Sequence, residues 1–254
     1  MKLVFSRKGF DSTAGGVPSP IVDGVPVSLP IPATDRSRTT YADRGHGDLV
    51  EAATRGRIAR TALCHDDPMF ADGPMFAEGY VWFGQCAAAE GHLRKHAVGP
   101  GDIFLFFGLF AEPDTGERHH RLFGWQRIAC HGAPDALPSH PDWREPPRPH
   151  PHLTGKWPRN NAMYCGPGAL ARNAAPELRL TRPGGPLNTW RVPSWLRRRG
   201  LTYHANPARW LEGGELDSAK RGQEFICNIG DDAEAHRWLK TMMQAMAGVA
   251  DADA

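Results

Sequence analysis

One short apolar run limits the folds open to this chain. Residues 103–110 read IFLFFGLF, with an apolar side chain at every position except Gly108, and they follow the turn-forming residues 99–102. A bounded apolar run of this length is typical of a strand buried on both faces. Residues 121–129, which follow a second turn, predict its antiparallel partner, so we expect a β-hairpin at the centre of a sheet.

The remaining pattern predicts one α+β domain. Short strands are expected at 3–5, 24–31, 161–165, 178–180, 189–192 and 223–229, and helices at 49–59, at 84–96 and after Asp231 and Asp232. No regular alternation of strands and helices calls for a doubly wound fold. We therefore expect a single domain over residues 1–247, with a mixed or antiparallel sheet, flanking helices and a frayed tail at 248–254.

Proline and glycine predict long loops. The chain has 23 prolines and 28 glycines, and residues 134–158 are so rich in proline that regular helix is excluded there. We expect this segment to be an irregular excursion or a lid.

Charge and cysteine content exclude several classes of protein. A formal net charge of +2 lacks the basic field of a nonspecific DNA coat. The five cysteines form no CxxC pair, which argues against a zinc ribbon or a disulfide framework. Neither a signal peptide nor an apolar run of membrane-spanning length is recognised, so the prediction is a cytoplasmic protein with no membrane partner.

The opening loop has the composition of a phosphate-binding loop. The strand at 3–5 runs into Ser6, Arg7, Lys8 and Gly9, and a second glycine pair precedes Ser19: Gly15 and Gly16. Glycines let backbone N–H groups approach an anion, and Arg and Lys neutralise it. The segment matches neither the Walker nor the dinucleotide pattern. An ordinary surface loop with solvated charges remains the alternative.

Two further places could carry acid–base chemistry. His65 stands beside Asp66 and Asp67, which offers an imidazole with a carboxylate to fix its tautomer. A surface Asp-Pro turn is the alternative. Glu224 at a strand start could act as a general base or accept from a ribose hydroxyl, or it could simply pair with Lys220 or Arg221.

No metal site is predicted, and no cofactor can be named. His119-His120 and His150-Pro151-His152 could each present imidazoles, but neither pair has a carboxylate at short range. The HExxH and deaminase patterns are absent. The best counter-case combines His65 and Asp67 with one of these four histidines. It requires the hairpin mouth or the proline-rich segment to fold over residues 65–68.

Several motifs together resemble the nucleotide modification associated domain 3 family. They are SRKGFDS with PSPI at 6–21, HDDP at 65–68, FGQ at 83–85, GDIFLFFG before Leu109, HPH at 150–152 with Asn161 after it, and GQEF at 222–225. The resemblance runs from residue 2 to about residue 240. It implies a place in phage and bacterial systems that hypermodify DNA bases, alongside other base-modification enzymes, and it leaves the reaction open.

The leading hypothesis is an enzyme that modifies nucleotides or DNA bases and binds a phosphate-bearing substrate. Four residues would be catalytic, namely Asp11, His65, Asp67 and Glu224. Twelve would contact substrate: Ser6, Arg7, Lys8, Gly9, Gly15, Gly16, Ser19, Gln85, Phe107, Trp125, Asn161 and Gln223.

A noncatalytic reader of modified bases is the rival hypothesis, and an accessory subunit of a modification system is a third. Residues 98–125 resemble the strand pair of PUA-like and EVE-like domains, in which Phe107 and Trp125 would stack an extruded base.

Overall fold

The apolar run at 103–110 forms a central strand, as predicted. The computed structural model describes residues 1–73, 76–220, 222 and 224–248. Its strands are β1 Lys2–Arg7, β2 Ile21–Val22, β3 Val25–Pro26, β4 Met69–Gly73, β5 Phe76–Gln85, β6 Ile103–Ala111, β7 Arg118–Arg127, β8 Cys130–Gly132, β9 Ala162–Leu170, β10 Thr189–Arg191, β11 Trp210–Leu211, β12 Glu215–Asp217 and β13 Glu224–Asn228. Its α-helices are α1 Gly47–Thr54, α2 Ala87–Lys95, α3 Pro151–Thr154, α4 Ser194–Arg199 and α5 Ala233–Ala247.

The main sheet is mixed, which confirms the predicted α+β class. Its strand order is β13-β1-β6-β7-β9-β5-β4, and β8 pairs with β9 beside this path. The pair β1 and β6 is parallel, and the other pairs in the sheet are antiparallel. The first and last strands of the chain are therefore neighbours, and β6 and β7 form the predicted hairpin.

The sheet curls so strongly that distant strands meet. The amide of Gln85, the last residue of β5, donates a 2.6 Å hydrogen bond to Glu224 on β13, although four strands lie between them in the sheet order. The space inside the curl is filled by aromatic side chains, including Phe83, Phe104, Phe106 and Tyr164. The rings of Phe83 and Phe104 lie 4.8 Å apart.

Strand alternation sends neighbouring residues to opposite faces of this sheet. On β1, Val4 joins the core inside the curl, whereas Leu3 and Phe5 join a second core beneath α4 and α5. That outer core contains the Phe107 and Trp190 rings, 4.9 Å apart. The face that each residue of β1 takes decides which polar side chains reach the inside of the curl.

The end of the chain folds as expected. Helix α5 begins at Ala233, and the side chain of Asp232 accepts hydrogen bonds from the backbone N–H groups of Glu234 and Ala235. A capping aspartate of this kind satisfies donors that the first helical turn leaves free. Residues 249–254 of the predicted tail lie outside the described residues. No helix in the described part of the chain has the length and apolarity to cross a membrane.

Several predicted boundaries were wrong for local reasons. Residues 24–31 form only β3, because prolines at 26 and 30 deny backbone donors to a longer ladder. Helix α1 ends at Thr54 because the next residue, Arg55, adopts a left-handed φ of 54°. Residues 176–178 are a 3₁₀ turn instead of the start of a strand. Strand β5 continues to Gln85, so α2 begins at Ala87.

Truncating a ring inside the curl should destabilise the whole sheet. Phe104 is fully buried and contacts Phe83 and Tyr164 at ring distances of 4.8 and 5.2 Å. We expect Phe104→Ala to lower the free energy of unfolding by about 3–5 kcal/mol, because it removes apolar burial and leaves a cavity. Denaturant unfolding measures this, with Leu170→Ala, 43% exposed, as the control. Equal stability of the two variants would contradict the packing described.

Candidate functional site

A cleft of about 690 Å³ opens where the ends of β1 and β5 approach each other. Six segments line it: the opening loop, the segment 31–36, His65 with Asp67, the end of β5 with Cys86, His152 and Trp157 around α3, and Lys220 with Gly222. Its chemistry-bearing side chains are Arg7, Lys8, Asp11, Asp35, Arg36, His65, Asp67, Gln85, Cys86, His152, Trp157 and Lys220. Four of the candidate residues named from the sequence, Arg7, Asp11, His65 and Asp67, line this cleft, whereas Ser6 is buried beside Glu224.

The carboxylate of Asp67 is the centre of the cleft floor. Its side chain is 5% exposed, and its Oδ1 accepts a 2.8 Å hydrogen bond from the backbone N–H of Gly84. Its Oδ2 faces Nε2 of His65 at 3.6 Å and Nε2 of His152 at 3.8 Å. Burial acts to raise the pKa of Asp67, but the contacts with His150 and His65 outweigh burial and hold the pKa well below its usual range. The carboxylate is therefore ionised.

Asn161 fixes the tautomer of His152. The Nδ2 group of Asn161 donates to the backbone oxygen of His152 at 2.9 Å, which leaves its Oδ1 facing Nδ1 of the imidazole at 2.5 Å. An amide oxygen only accepts, so the ring proton lies on Nδ1 and Nε2 carries a lone pair. Burial lowers the pKa of His152 to about 4, so the ring is neutral near pH 7.

His150 contacts the same carboxylate from the other side. Its Nδ1 accepts from the backbone N–H of His152, which caps α3 and leaves the ring proton on Nε2. That nitrogen lies 3.3 Å from Oδ1 of Asp67, at an alignment too poor for a hydrogen bond. His150 is fully buried, so it belongs to the support of Asp67 and not to the cleft surface.

Gly84 is required where the proline-rich segment covers the sheet. A Cβ atom at this position would clash with the imidazole of His152. The bare backbone therefore lets His152 lie directly on β5 while the N–H of Gly84 holds Asp67. Trp157 completes the cover, because its ring stacks on His152 at 4.0 Å.

Glu224 lies behind the cleft and joins three side chains. Its Oε1 accepts from Ser6 at 3.1 Å, from Gln85 at 2.6 Å and from the ammonium of Lys8 at 3.0 Å. The carboxylate is 1% exposed, and Lys8 lies over the ring of Phe83. This network ties β1, β5 and β13 together inside the curl.

The cations of the opening loop point to different faces. Arg7 follows Leu3 and Phe5 to the outer face, where it lies over the Phe107 ring at 5.6 Å. Its guanidinium donates to the backbone oxygens of Ala219 and Lys220, and burial lowers its pKa. Lys8 takes the inner face. Arg7 therefore positions the segment at 219–220, and its role in binding substrate stays a prediction.

Of the remaining residues predicted in the opening loop, Gly9 and Asp11 line the cleft, whereas Gly15, Gly16 and Ser19 are not part of its lining. Asp11 lines the cleft, but its Oδ1 accepts from the backbone N–H groups of Thr13 and Ala14, so it also shapes the loop. The glycines at 9, 15 and 16 have φ values of 78°, 81° and 73°, which L side chains rarely adopt. Ser19 is buried, and its hydroxyl accepts from the backbone N–H of Leu29.

The two aromatic residues expected to stack a base lie away from the cleft lining. Phe107 is fully buried in the outer core, and Trp125 packs against the same core. Gln223 lies outside the described residues. A stacking role for these residues stays a prediction.

The alternative metal site named from the sequence, His65 and Asp67 with one further histidine, has matching geometry in the structure. Nitrogen or oxygen atoms of His65, Asp67 and His152 lie within 4.8 Å of one another. The proline-rich segment folds over residues 65–68 and supplies the histidine. His119 and His120 lie elsewhere on β7, near Glu112 and Trp190 respectively. Three groups that could hold a metal ion therefore meet here, and the prediction that no metal is bound stays a prediction.

Sequence reasoning missed Trp157, Arg36 and the Lys8–Glu224 pair. The guanidinium of Arg36 lies 4.6 Å from the Trp157 ring centroid, and no motif marks either residue. For Glu224, only Lys220 and Arg221 were considered as partners, although Lys8 at 3.0 Å is its ion-pair partner. The Lys8–Glu224 pair becomes visible only from the sheet order, in which β1 lies between β6 and β13.

Comparison with known proteins gives one match. A family model described as nucleotide modification associated domain 3 matches residues 2–228. The match runs from the first residue of β1 to the last of β13, so it includes every strand of the main sheet and every residue of the cleft lining. No curated protein and no solved structure matches the chain.

Removing one charge of the buried Lys8–Glu224 pair should destabilise the protein strongly, and removing the second charge should add less than it costs alone. Glu224→Gln keeps an acceptor for Ser6 and Gln85 but leaves Lys8 unpaired, and Lys8→Met leaves the carboxylate without its cation. We expect each change to lower the free energy of unfolding by about 3 kcal/mol. The double variant should lose less than the sum, which denaturant unfolding in a double-mutant cycle measures. Strict additivity would contradict a direct Lys8–Glu224 interaction.

Proposed function

The chain belongs to the nucleotide modification associated domain 3 family, and from that premise we propose that it is an enzyme that binds a phosphate-bearing nucleotide, free or within DNA, in the cleft and modifies it. One observation carries the proposal: exposed cations and a buried imidazole–carboxylate cluster line the same cavity. Perturbed titratable groups converging in one cleft are the usual mark of a catalytic site. Nucleotide-related partners follow from the same premise.

The phosphate would be held at the mouth of the cleft. Arg36 and Lys220 are both exposed there, and neither has a carboxylate within ion-pair distance among the described residues. Lys8 already pairs with Glu224, and Arg7 already donates to two backbone oxygens. Arg36 and Lys220, the free cations of the cleft, are therefore better suited to bind an incoming anion. Arg7 and Lys8 instead hold the cleft wall in position.

Proton transfer would fall to His65. Its side chain is 14% exposed in the cleft, and the ionised Asp67 lies 3.6 Å from its Nε2. A carboxylate beside an imidazole orients the ring, as a general base requires. Asp67 is held by Gly84 and is too buried to meet a large substrate directly, so it would act through the histidines. Glu224 and Gln85 would support this floor from behind.

A noncatalytic reader of modified bases is favoured by one observation only. Trp157 lies in the cleft, and its ring could guide a base. A reading pocket needs several aromatic faces and few titratable groups. Among the described lining residues, Trp157 is the single Trp, Tyr or Phe, against at least nine titratable side chains. The enzyme hypothesis therefore fits the lining better.

Removing the free cations should weaken nucleotide binding. We expect Arg36→Ala/Lys220→Ala to raise the dissociation constant for nucleoside phosphates or oligonucleotides at least about tenfold, because each charge-assisted contact is worth 1–3 kcal/mol. Calorimetry with a panel of nucleotides and of single- and double-stranded DNA measures this. The control is Arg172→Ala/Lys95→Ala, which removes the same charge from exposed positions outside the cleft. Equal affinity of both double variants would contradict the proposed phosphate site.

Loss of His65 should separate catalysis from binding. We expect nucleosides from cells producing the protein to contain a modified species that mass spectrometry detects, and His65→Ala to abolish it. The variant should still bind the nucleotide, because the free cations remain. A reader would bind without forming any new nucleoside, so unchanged nucleoside profiles with intact binding would favour the rival hypothesis.

A further inference from the structure

Three potential metal ligands meet in the cleft floor, and two of them, Asp67 and His152, have no proton between them. Oδ2 of Asp67 faces Nε2 of His152 at 3.8 Å, and the Asn161 contact leaves that nitrogen with a lone pair. A lone pair and an anionic oxygen repel each other unless a cation lies between them. The structure thus has two adjacent electron-pair donors in a buried place, with His65 as a third.

We propose that His65, Asp67 and His152 bind one divalent transition-metal ion through Nε2, Oδ2 and Nε2. The three residues are brought together from two distant segments, one before β4 and one at α3. The inference rests on the proposed function for its chemical purpose and changes one role in it: with Nε2 of His65 on the ion, the ion would activate a water molecule or a substrate oxygen in place of that histidine as general base. Metal binding itself can be tested without any nucleotide.

The distances suit coordination better than hydrogen bonding. Nitrogen and oxygen ligands lie about 2.0–2.2 Å from zinc, so two ligands of one tetrahedral ion are about 3.4 Å apart. The separations of 3.6 and 3.8 Å from Oδ2 of Asp67 exceed hydrogen-bond length and come within a few tenths of an ångström of that value. All three ligand atoms lie within 4.8 Å of one another, so side-chain rotations that bring the two imidazoles toward a common ion would complete the site.

The surrounding contacts orient the ligands as a metal site needs. Metal-binding histidines usually donate their other ring N–H to a fixed acceptor, and His152 donates Nδ1–H to Asn161 in this way. Asp67 uses Oδ1 for the backbone N–H of Gly84 and for the contact with His150, so Oδ2 remains for the ion. The stacked ring of Trp157 keeps the His152 imidazole in place.

The donor set indicates the class of ion. Two imidazoles and one carboxylate suit zinc, iron(II), manganese or cobalt better than magnesium or calcium, which prefer oxygen ligands. His65 reaches the cleft surface, so the remaining coordination positions of the ion would open toward a substrate in the cleft. A bound ion there could take a substrate oxygen or a water molecule as a further ligand. The exposed cations of the cleft would then hold the phosphate near it.

Metal titration of the full chain tests the proposal. The protein is stripped with a chelator and titrated separately with Zn²⁺, Co²⁺, Mn²⁺ and, without oxygen, Fe²⁺, with bound metal measured by elemental analysis. We expect one ion per chain for at least one of these metals. Asp67→Asn and His152→Ala should lose the ion, while His140→Ala, a half-exposed histidine outside the cleft, should keep it. The Co²⁺ form should show the visible absorption of a nitrogen–oxygen site.

If Asp67→Asn or His152→Ala does not fold, two other variants still test the proposal. His65→Ala alters a residue at the cleft surface and should lower metal affinity at least tenfold. Asn161→Leu removes the acceptor for His152 and should lower it about 10–100-fold, the usual effect of losing such a support. Substoichiometric binding of all four metals, or stoichiometric binding that His65→Ala and Asn161→Leu leave unchanged, would overturn the proposal. Metal binding without nucleotide binding would contradict only the proposed function.

Discussion

The cleft depends on the hydrogen bonds and the ion pair made by one buried carboxylate, that of Glu224. It accepts hydrogen bonds from Ser6 and Lys8 of β1 and its following loop, and from Gln85 at the end of β5. The strands β1 and β13 are neighbours, but four strands separate β5 from β13 in the sheet order, so the Gln85–Glu224 contact is possible only because the sheet curls around its aromatic filling. The same contact brings the end of β5 beside the opening loop. The cleft is the gap left where those two ends meet.

Asp67 is the centre of the side-chain cluster in this cleft. The N–H of Gly84, one residue before Gln85, holds one oxygen of the carboxylate, and the other oxygen faces two imidazoles. The missing side chain of Gly84 lets His152 lie against the strand, and Asn161 decides which nitrogen of His152 carries the proton. An ionised carboxylate beside the neutral imidazole of His152 is a ready site for a positive charge, whether a proton or a metal ion.

The sequence predicted the parts of this structure that depend on local pattern. The apolar hairpin of β6 and β7, the α+β class and the capped final helix all follow from periodicity and turn residues. Motifs named some cleft residues, such as His65 and Asp67, but not Arg36 or Trp157. They could not name partners either, because contacts such as Lys8 with Glu224 join residues more than two hundred positions apart. The path of the proline-rich segment was also open. Its prolines limit regular helix to the four-residue α3, contrary to the prediction of none, and they do not say what the segment covers. Only the fold brings His152 to Asp67.

The most direct measurement is anomalous scattering from crystals of the cobalt-loaded protein, recorded on both sides of the cobalt absorption edge. The structure predicts one strong anomalous peak in the cleft, about 2.0–2.2 Å from Nε2 of His65, Nε2 of His152 and Oδ2 of Asp67. Such a peak would show that the floor built on Gly84 and Asn161 is a metal centre. A cleft without a peak, with cobalt found only at exposed histidines such as His140, would contradict the account.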